Sequence, residues 1–168
     1  PGVGSFGAGM RALRESGLDA ALAERIAENR PTLAVCLGLQ LLCRSSEETP
    51  GVTGLGVLPV DVKRLQGAPR LPHFGWNAVR LDSAAQESPA GLFTEGDAYF
   101  AHTFCLMDAS TLEADGWTVA RTEEGSTFVS AVERGCVLAC QFHPELSGAF
   151  GAALLGRWLQ SAQVVTSW

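Results

Sequence analysis

Two separated segments of this chain place a thiol, an imidazole and a carboxylate at the ends of predicted strands. Residues 31–42 have the pattern of an apolar strand that ends at Cys36 and continues, through a glycine, into a helix. Residues 140–145 have the pattern of a strand that ends at His143, with Glu145 two positions further on. These three groups are the parts of an activated nucleophile. The chain must therefore adopt a fold that brings two distant strand ends together, and the pattern predicts a cysteine hydrolase.

The turn from strand to helix at Cys36 has the pattern of a nucleophile elbow, in which a sharp and strained turn presents the nucleophile. Gly38 is expected to leave room for close approach at this turn. The unpaired amides at a helix N-terminus favour a thiolate, so we expect them to lower the pKa of Cys36. On its own, the segment fits a buried structural cysteine about as well as a nucleophile.

The second segment pairs a histidine with a carboxylate. Residues two apart in an extended strand point the same way, so Glu145 is expected to orient His143 and stabilise its cation. Pro144 between them removes a backbone donor and ends regular strand pairing. A solvent-exposed histidine at a strand end is the alternative, but the presence of Cys36 elsewhere in the chain favours a catalytic pair.

The bulk composition limits the other classes of function. A length of 168 residues with 46% hydrophobic residues predicts one domain, spanning residues 1–168, with a sizeable core. The net charge of -6 argues against a nucleic-acid surface. The five cysteines contain no C-x-x-C pair, so we expect no metal site, and four of them are expected to be small buried thiols in a reducing cytoplasm. We also expect no cofactor.

The pattern of apolar and turn residues predicts an α/β chain with a strand-rich middle. Helices are expected at residues 7–16, 19–30 (with Asp19 as N-cap), 37–45 and 148–160. Strands are expected at residues 32–36, 57–65, 76–81, 98–104, 117–121, 128–133 and 137–142. These elements predict a three-layer α/β fold with a mainly parallel central sheet. Residues 1–6 have the pattern of a loop that leaves a strand, so we expect the sequence to lack an N-terminal βα unit.

The residues 36–42, followed far downstream by residues 141–145, resemble the class I glutamine amidotransferase family, which has a flavodoxin-like fold. The segments at residues 1–6, 72–77 and 99–104 further resemble the glutaminase subunit of imidazole glycerol phosphate synthase. The match covers nearly the whole chain, with its motifs in the order of the family.

The resemblance implies a glutaminase in which Cys36 attacks the side-chain amide of glutamine, forming a γ-glutamyl thioester and releasing ammonia. His143 then acts as general base and acid, and Glu145 orients it. The oxyanion is expected to be bound by the backbone N–H of Leu37, which the elbow geometry also favours, and by a backbone N–H near Gly2 and Gly4. The substrate glutamine is expected to contact Gln40, Thr103 and Phe104.

The resemblance also implies a heterodimer with a (β/α)8-barrel synthase subunit, which uses the ammonia in histidine biosynthesis. The expected interface residues are His73, Phe74, Trp76, Asn77, Tyr99 and His102, although Phe74, Trp76 and Phe100 could instead belong to the core of this domain. The chain departs from the family at Leu146, where lysine is frequent, and at Phe104, where tyrosine is usual.

Two other functions share these motifs. The glutaminase subunits for pyridoxal phosphate or anthranilate have the same triad, but the segment at residues 72–77 disfavours them. A non-catalytic protein that keeps the fold and binds a partner is disfavoured by the intact triad of Cys36, His143 and Glu145.

Overall fold

The computed structural model describes residues 1–81 and 91–165, and all statements below refer to them. The α-helices are α1 (Phe6–Glu15), α2 (Leu18–Ala27), α3 (Leu37–Leu41), α4 (Ser110–Ala114) and α5 (Gly148–Val165), and a short 3-10 helix spans Pro144–Leu146. The strands are β1 (Thr32–Val35), β2 (Cys43–Ser46), β3 (Leu58–Arg64), β4 (His73–Leu81), β5 (Gly96–His102), β6 (Phe104–Leu106), β7 (Thr118–Glu124), β8 (Ser126–Arg134) and β9 (Val137–Cys140).

The described strands form one mixed sheet. Its main path runs β2-β3-β6-β8-β7-β4-β5, and β9 pairs with both β8 and β1. Strand β8 is the centre of the sheet, because it pairs with β7 along one edge and with β6 and β9 along the other. The register of β1 on β9 sets Val35 opposite Cys140, so the segment after β1 and the segment after β9 leave the sheet side by side.

The α/β fold is confirmed, but the sheet is mixed rather than mainly parallel. Only the β1–β9 and β2–β3 pairs are parallel among the described strands. Parallel neighbours need a crossover of about a dozen residues or more, whereas antiparallel neighbours need only a turn. The middle of the chain is built from such short connections; β7 and β8, for example, are joined through Gly125 alone, whose φ of 72° suits glycine.

Helices cover both faces of the sheet, which confirms the three-layer arrangement. Ala34 of β1 packs in one hydrophobic cluster with Ile26 of α2, while the next residue, Val35, packs in a second cluster with Leu154 of α5. Complete burial of a leucine such as Leu154 contributes roughly 1.5–3 kcal/mol. Successive side chains of a strand point to opposite faces, so β1 packs against α2 on one face of the sheet and against α5 on the other.

Several local predictions need correction. The predicted helix at residues 37–45 ends at Leu41, and Cys43 already begins β2, which pairs with β3. The predicted strand at residues 98–104 is interrupted at Thr103, between β5 and β6. The N-cap of α2 is Gly17 in the left-handed conformation rather than Asp19, which lies in the first turn. In each case a tertiary pairing or a backbone turn overrides the local pattern.

In the part of the chain that the structure covers, no helix is both long enough and apolar enough to cross a membrane.

Candidate active site

Cys36 occupies a strained turn between β1 and α3. Its φ of 52° and ψ of -108° lie in a region that residues with a side chain rarely adopt. The Cys36 N–H donates to the carbonyl of Cys140 at 2.7 Å, and Gly2 forms a parallel bridge with Cys36. The turn is thus held by backbone bonds on both sides. Gly38 is not needed for close approach, because a Cβ there would meet the Ala34 side chain at an ordinary 3.5 Å.

His143 and Glu145 form a close pair. The Nδ1 of His143 lies 2.8 Å from Oε1 of Glu145. The strand alternation predicted from the sequence is not the cause, since β9 ends at Cys140 and Glu145 lies in the 3-10 helix. The His143 ring is buried, whereas the Glu145 side chain is 51% exposed. The backbone of His143 is held by its N–H bond to Tyr99 O at 2.9 Å and by the Ser147 hydroxyl, which donates to His143 O at 2.6 Å.

The second ring nitrogen of His143 is ready to accept a proton. Its Nε2 is buried and has no hydrogen-bond partner among the described residues. Nδ1 faces a carboxylate, which can only accept, so Nδ1 carries the hydrogen of the neutral ring and Nε2 has a free lone pair. An orphaned buried nitrogen is unfavourable unless a reacting group uses it.

The thiol of Cys36 is buried and contacts two groups. Its sulfur lies 3.9 Å from the carbonyl of Ala101, and Nε2 of Gln141 donates to it at 3.5 Å. Burial raises the pKa of Cys36, and the Leu37 N–H and Gln141 oppose this only in part. The prediction that the helix N-terminus lowers the Cys36 pKa is therefore wrong for the free protein, because desolvation of the thiolate outweighs the single amide of a five-residue helix.

A cavity of about 160 Å³ opens beside Cys36. It brings together most of the residues that the sequence predicts for substrate and oxyanion binding, while Gly2 instead bridges to Cys36. The predicted residues that line the cavity are Gly4, Cys36, Leu37, Gln40, Thr103 and Phe104. These residues come from three separate segments of the chain, so the fold assembles the cavity.

Two polar residues of this region are not predicted from the sequence. Glu48 lines the cavity, and its Oε2 accepts the Phe6 N–H at 2.6 Å. Gln141 is fully buried beside the thiol. The only sequence signal for Gln141 is a polar residue within the apolar run 137–142, while Glu48 lies in a polar stretch that gives no signal. The structure contains no group of three or more side chains suited to hold a metal ion within residues 1–81 and 91–165.

The residues predicted for a partner interface divide into exposed and buried sets. Phe74 and Trp76 are 65% and 58% exposed, and the half-buried Tyr99 packs edge-on against Trp76 at 6.1 Å between ring centroids. His73 and His102 are buried, with the His73 ring stacked on Phe100 and the His102 ring tilted against it. Neither histidine is therefore part of the exposed surface, and their contact with a partner stays a prediction. Alternation along β4 explains the split, because His73 points inward while Phe74 and Trp76 point outward. Phe100 is a core residue, and Asn77 is half-buried.

The two buried histidines form a hydrogen-bonded pair, and His102 also lines the cavity. The carbonyl of Phe104 lies 3.1 Å from Nδ1 of His102, and since a carbonyl only accepts, this nitrogen carries the hydrogen. Nε2 of His102 then accepts from Nδ1 of His73 at 3.2 Å. Burial, assisted by the neighbouring His73, lowers the pKa of His102 to about 3, so this histidine is neutral at physiological pH.

The chain matches the family model described as glutamine amidotransferase class-I over residues 1–159. It is 39% identical over 160 residues to imidazole glycerol phosphate synthase subunit HisH of Thermotoga maritima, covering 95% of this chain and 73% of that protein. It is 38% identical over 162 residues to the HisH subunit of Herpetosiphon aurantiacus, covering 96% of this chain and 74% of the relative.

The chain is also similar to a longer relative and to solved structures. It is 36% identical over 170 residues to imidazole glycerol phosphate synthase hisHF of Emericella nidulans, of whose length it spans only 31%. A solved glutamine amidotransferase is 23% identical and superimposes with a TM-score of 0.67, over 95% of this chain and 76% of that one, which supports the fold. The family model covers residues 1–159, and the relatives and the solved structure are consistent with it. The chain therefore belongs to the class-I glutamine amidotransferase family.

Proposed function

We propose that this protein hydrolyses glutamine to glutamate and ammonia. The observation that carries the proposal is a strained Cys36 turn that opens onto a cavity of about 160 Å³. It is supported by the His143–Glu145 pair, whose Nε2 is buried and has no hydrogen-bond partner within the described structure, and by the register of β1 on β9, from whose ends the two segments leave the sheet side by side. The raised pKa of Cys36 makes a base necessary, because little thiolate forms spontaneously at neutral pH.

The proposed reaction proceeds through a covalent intermediate. His143 Nε2 takes the proton of the Cys36 thiol as the sulfur attacks the amide carbon of glutamine. The developing oxyanion is stabilised by the Leu37 N–H and by a backbone N–H near Gly2 and Gly4. His143 returns the proton to the amide nitrogen, the carbon–nitrogen bond breaks, and ammonia leaves a γ-glutamyl thioester. His143 then takes a proton from a water molecule, which attacks the thioester carbon. The carbon–sulfur bond breaks, His143 returns the proton to the Cys36 sulfur, and glutamate leaves.

The polar groups of the cavity suit the hydrogen-bond donors of glutamine, its α-ammonium group and its side-chain amide. Glu48 supplies a carboxylate for the α-ammonium group. The Nε2 of Gln40 donates both of its hydrogens, one to Phe104 O at 2.8 Å and one to Gln141 Oε1 at 3.1 Å. The Oε1 of Gln40 therefore remains available to accept a hydrogen bond from a ligand. Thr103 and Phe104 line the same cavity at the break between β5 and β6 and are proposed to contact the amino-acid end of glutamine.

The ammonia is proposed to pass to a (β/α)8-barrel synthase subunit that makes imidazole glycerol phosphate in histidine biosynthesis. The relatives named above are subunits of, or fused forms of, imidazole glycerol phosphate synthase. The exposed aromatic surface formed by Phe74, Trp76 and Tyr99 is the proposed docking surface, and Phe74 also lines the cavity. Aromatic residues that become buried are the usual anchors of such interfaces.

We also propose that the protein acts in the cytoplasm. All five cysteines are free and buried. Five thiols without a disulfide fit a reducing compartment.

Glutamate formation and ammonia release, measured with and without the synthase subunit, test the proposed activity. Cys36→Ser should abolish both products and leave thermal unfolding within a few degrees, since a hydroxyl is far less acidic than a thiol. A glutamine analogue with an electrophilic carbon should label the wild-type protein, and peptide mapping should place the label on Cys36. Labelling of another cysteine, or full turnover by the serine variant, would contradict the proposal.

A further inference from the structure

Gln141 lies between the proposed nucleophile and the proposed substrate-binding residue. Its side chain is fully buried on the segment that follows β9, and its backbone N–H donates to Ser130 O at 2.8 Å, which anchors it to β8. Its Nε2 lies 3.5 Å from the sulfur of Cys36, and its Oε1 lies 3.1 Å from Nε2 of Gln40. One carboxamide thus contacts both the thiol and the second carboxamide.

The orientation of both carboxamides follows from a single backbone carbonyl. Phe104 O can only accept, so the Gln40 atom at 2.8 Å from it must be the donor Nε2. The same Nε2 then needs an acceptor on its other side, which makes the neighbouring atom of Gln141 its Oε1. The remaining end of Gln141, which faces Cys36, is therefore the NH₂ group. A flipped Gln141 would set two NH₂ groups against each other in a buried site, at a cost of roughly 1–3 kcal/mol.

A fixed NH₂ group beside the sulfur favours one protonation state. A thiolate is a good acceptor, whereas the thiol proton has its own acceptor in Ala101 O at 3.9 Å. Gln141 therefore stabilises the charged form of the nucleophile without competing for the proton that His143 must remove. In agreement, the Gln141 hydrogen bond lowers the pKa of Cys36 against the larger effect of burial.

We propose that Gln141 is a positioning residue that holds the Cys36 thiolate with its NH₂ group and aims the Gln40 carboxamide with its carbonyl. The assignment deepens the proposed glutaminase function and rests on it for the role of Gln40, but not for the effect on the thiol. Because the two halves of the side chain act on different partners, substitutions can separate them.

The test measures the rate of Cys36 alkylation by iodoacetamide as a function of pH, with peptide mapping to distinguish Cys36 from the other four thiols. Gln141→Met keeps the length and loses both hydrogen bonds, so the midpoint of the alkylation profile should move upward by about one pH unit, a tenfold lower thiolate fraction at neutral pH. The KM of the Gln141→Met variant for glutamine should also rise, because Gln40 loses one of the two hydrogen-bond acceptors that fix the orientation of its carboxamide.

Gln141→Glu keeps the acceptor for Gln40 and loses the donor to sulfur. It should move the alkylation midpoint upward by at least as much as Gln141→Met, while changing KM less. Should Gln141→Met not fold, as judged by thermal unfolding, this isosteric variant supplies the test. Ser130→Ala is a matched control, because it alters the core beside Gln141 without touching the sulfur, and its alkylation midpoint should equal the wild-type value.

The outcomes are distinct. An unchanged alkylation profile in a folded Gln141 variant would overturn the proposed positioning role. A shifted profile in a protein whose wild type releases no ammonia from glutamine would support the effect on the thiol and refute the proposed glutaminase function. A shift of the same size in Ser130→Ala would overturn the assignment, because the effect would then arise from general loosening of the core.

Discussion

Replacement of Glu145 by alanine should reduce glutamine hydrolysis only modestly, although Glu145 belongs to the proposed triad. Its carboxylate makes a 2.8 Å bond to His143 Nδ1, but half of the side chain is open to solvent. Ion pairs in such settings contribute about 0.2–1 kcal/mol, because water screens them. That range corresponds to a loss of about 1.5- to 5-fold in kcat/KM. The His143 ring is also held by its own burial and by its backbone bonds to Tyr99 and Ser147, which the substitution leaves intact.

Replacement of His143 by alanine should be far more damaging. It removes the only proposed proton acceptor for a buried thiol whose pKa is raised, and general acid–base catalysis contributes roughly 10²–10⁴-fold. The two variants should therefore differ by at least about tenfold in kcat/KM. Glu145→Gln keeps an acceptor for Nδ1–H and should retain more activity than Glu145→Ala.

The assay is steady-state glutamate formation with the synthase subunit at saturating concentration, with thermal unfolding to confirm that each variant is folded. The ratio of wild-type to Glu145→Ala activity should fall as salt is raised toward 1 M, since screening already weakens the contribution of an exposed carboxylate. A loss of a thousandfold or more for Glu145→Ala, independent of salt, would refute the argument from exposure. Such a result would mean that the carboxylate acts as a buried group, for example after a partner covers it.

Two further predictions concern the docking surface and the pH dependence of stability. Trp76→Ala should weaken binding of the synthase subunit while changing the free energy of unfolding by less than about 1 kcal/mol, because Trp76 is 58% exposed; the buried Phe100→Ala should instead destabilise the domain by roughly 3–5 kcal/mol. Titration calorimetry and denaturant unfolding of both variants check this, and equal destabilisation by the two would contradict it. Burial raises the pKa of Glu133 to about 7 from 4.5, partly offset by Arg157, so the native state holds this proton more tightly than the unfolded chain. The free energy of unfolding should therefore fall by about 3 kcal/mol as pH rises from 4.5 through 7, and Glu133→Gln should remove this slope; a slope that persists in the variant would assign it to another group.

The sequence by itself determines the chemistry of the site and the class of fold. An apolar strand that runs into Cys36 and a helix is a local pattern, and the turn has the expected strained backbone. The pairing of His143 with Glu145 is likewise local, although a 3-10 helix rather than strand alternation produces it. These features depend on residues close together in the chain, where propensity and spacing suffice. Placement of helices on both faces also follows from the alternating burial of short apolar strands such as β1.

Tertiary structure alone decides how these pieces meet. The register of β1 on β9 brings Cys36 to the carbonyl of Cys140, more than one hundred residues away, and no local pattern encodes that register. The same pairing sets Gln141 against both Cys36 and Gln40. Long-range pairing also ends α3 at Leu41, and alternation along β4 turns His73 inward beneath the exposed Phe74. The physical reason is that hydrogen-bond orientation, burial and pKa depend on neighbours in space, which for this site come from segments far apart in the chain.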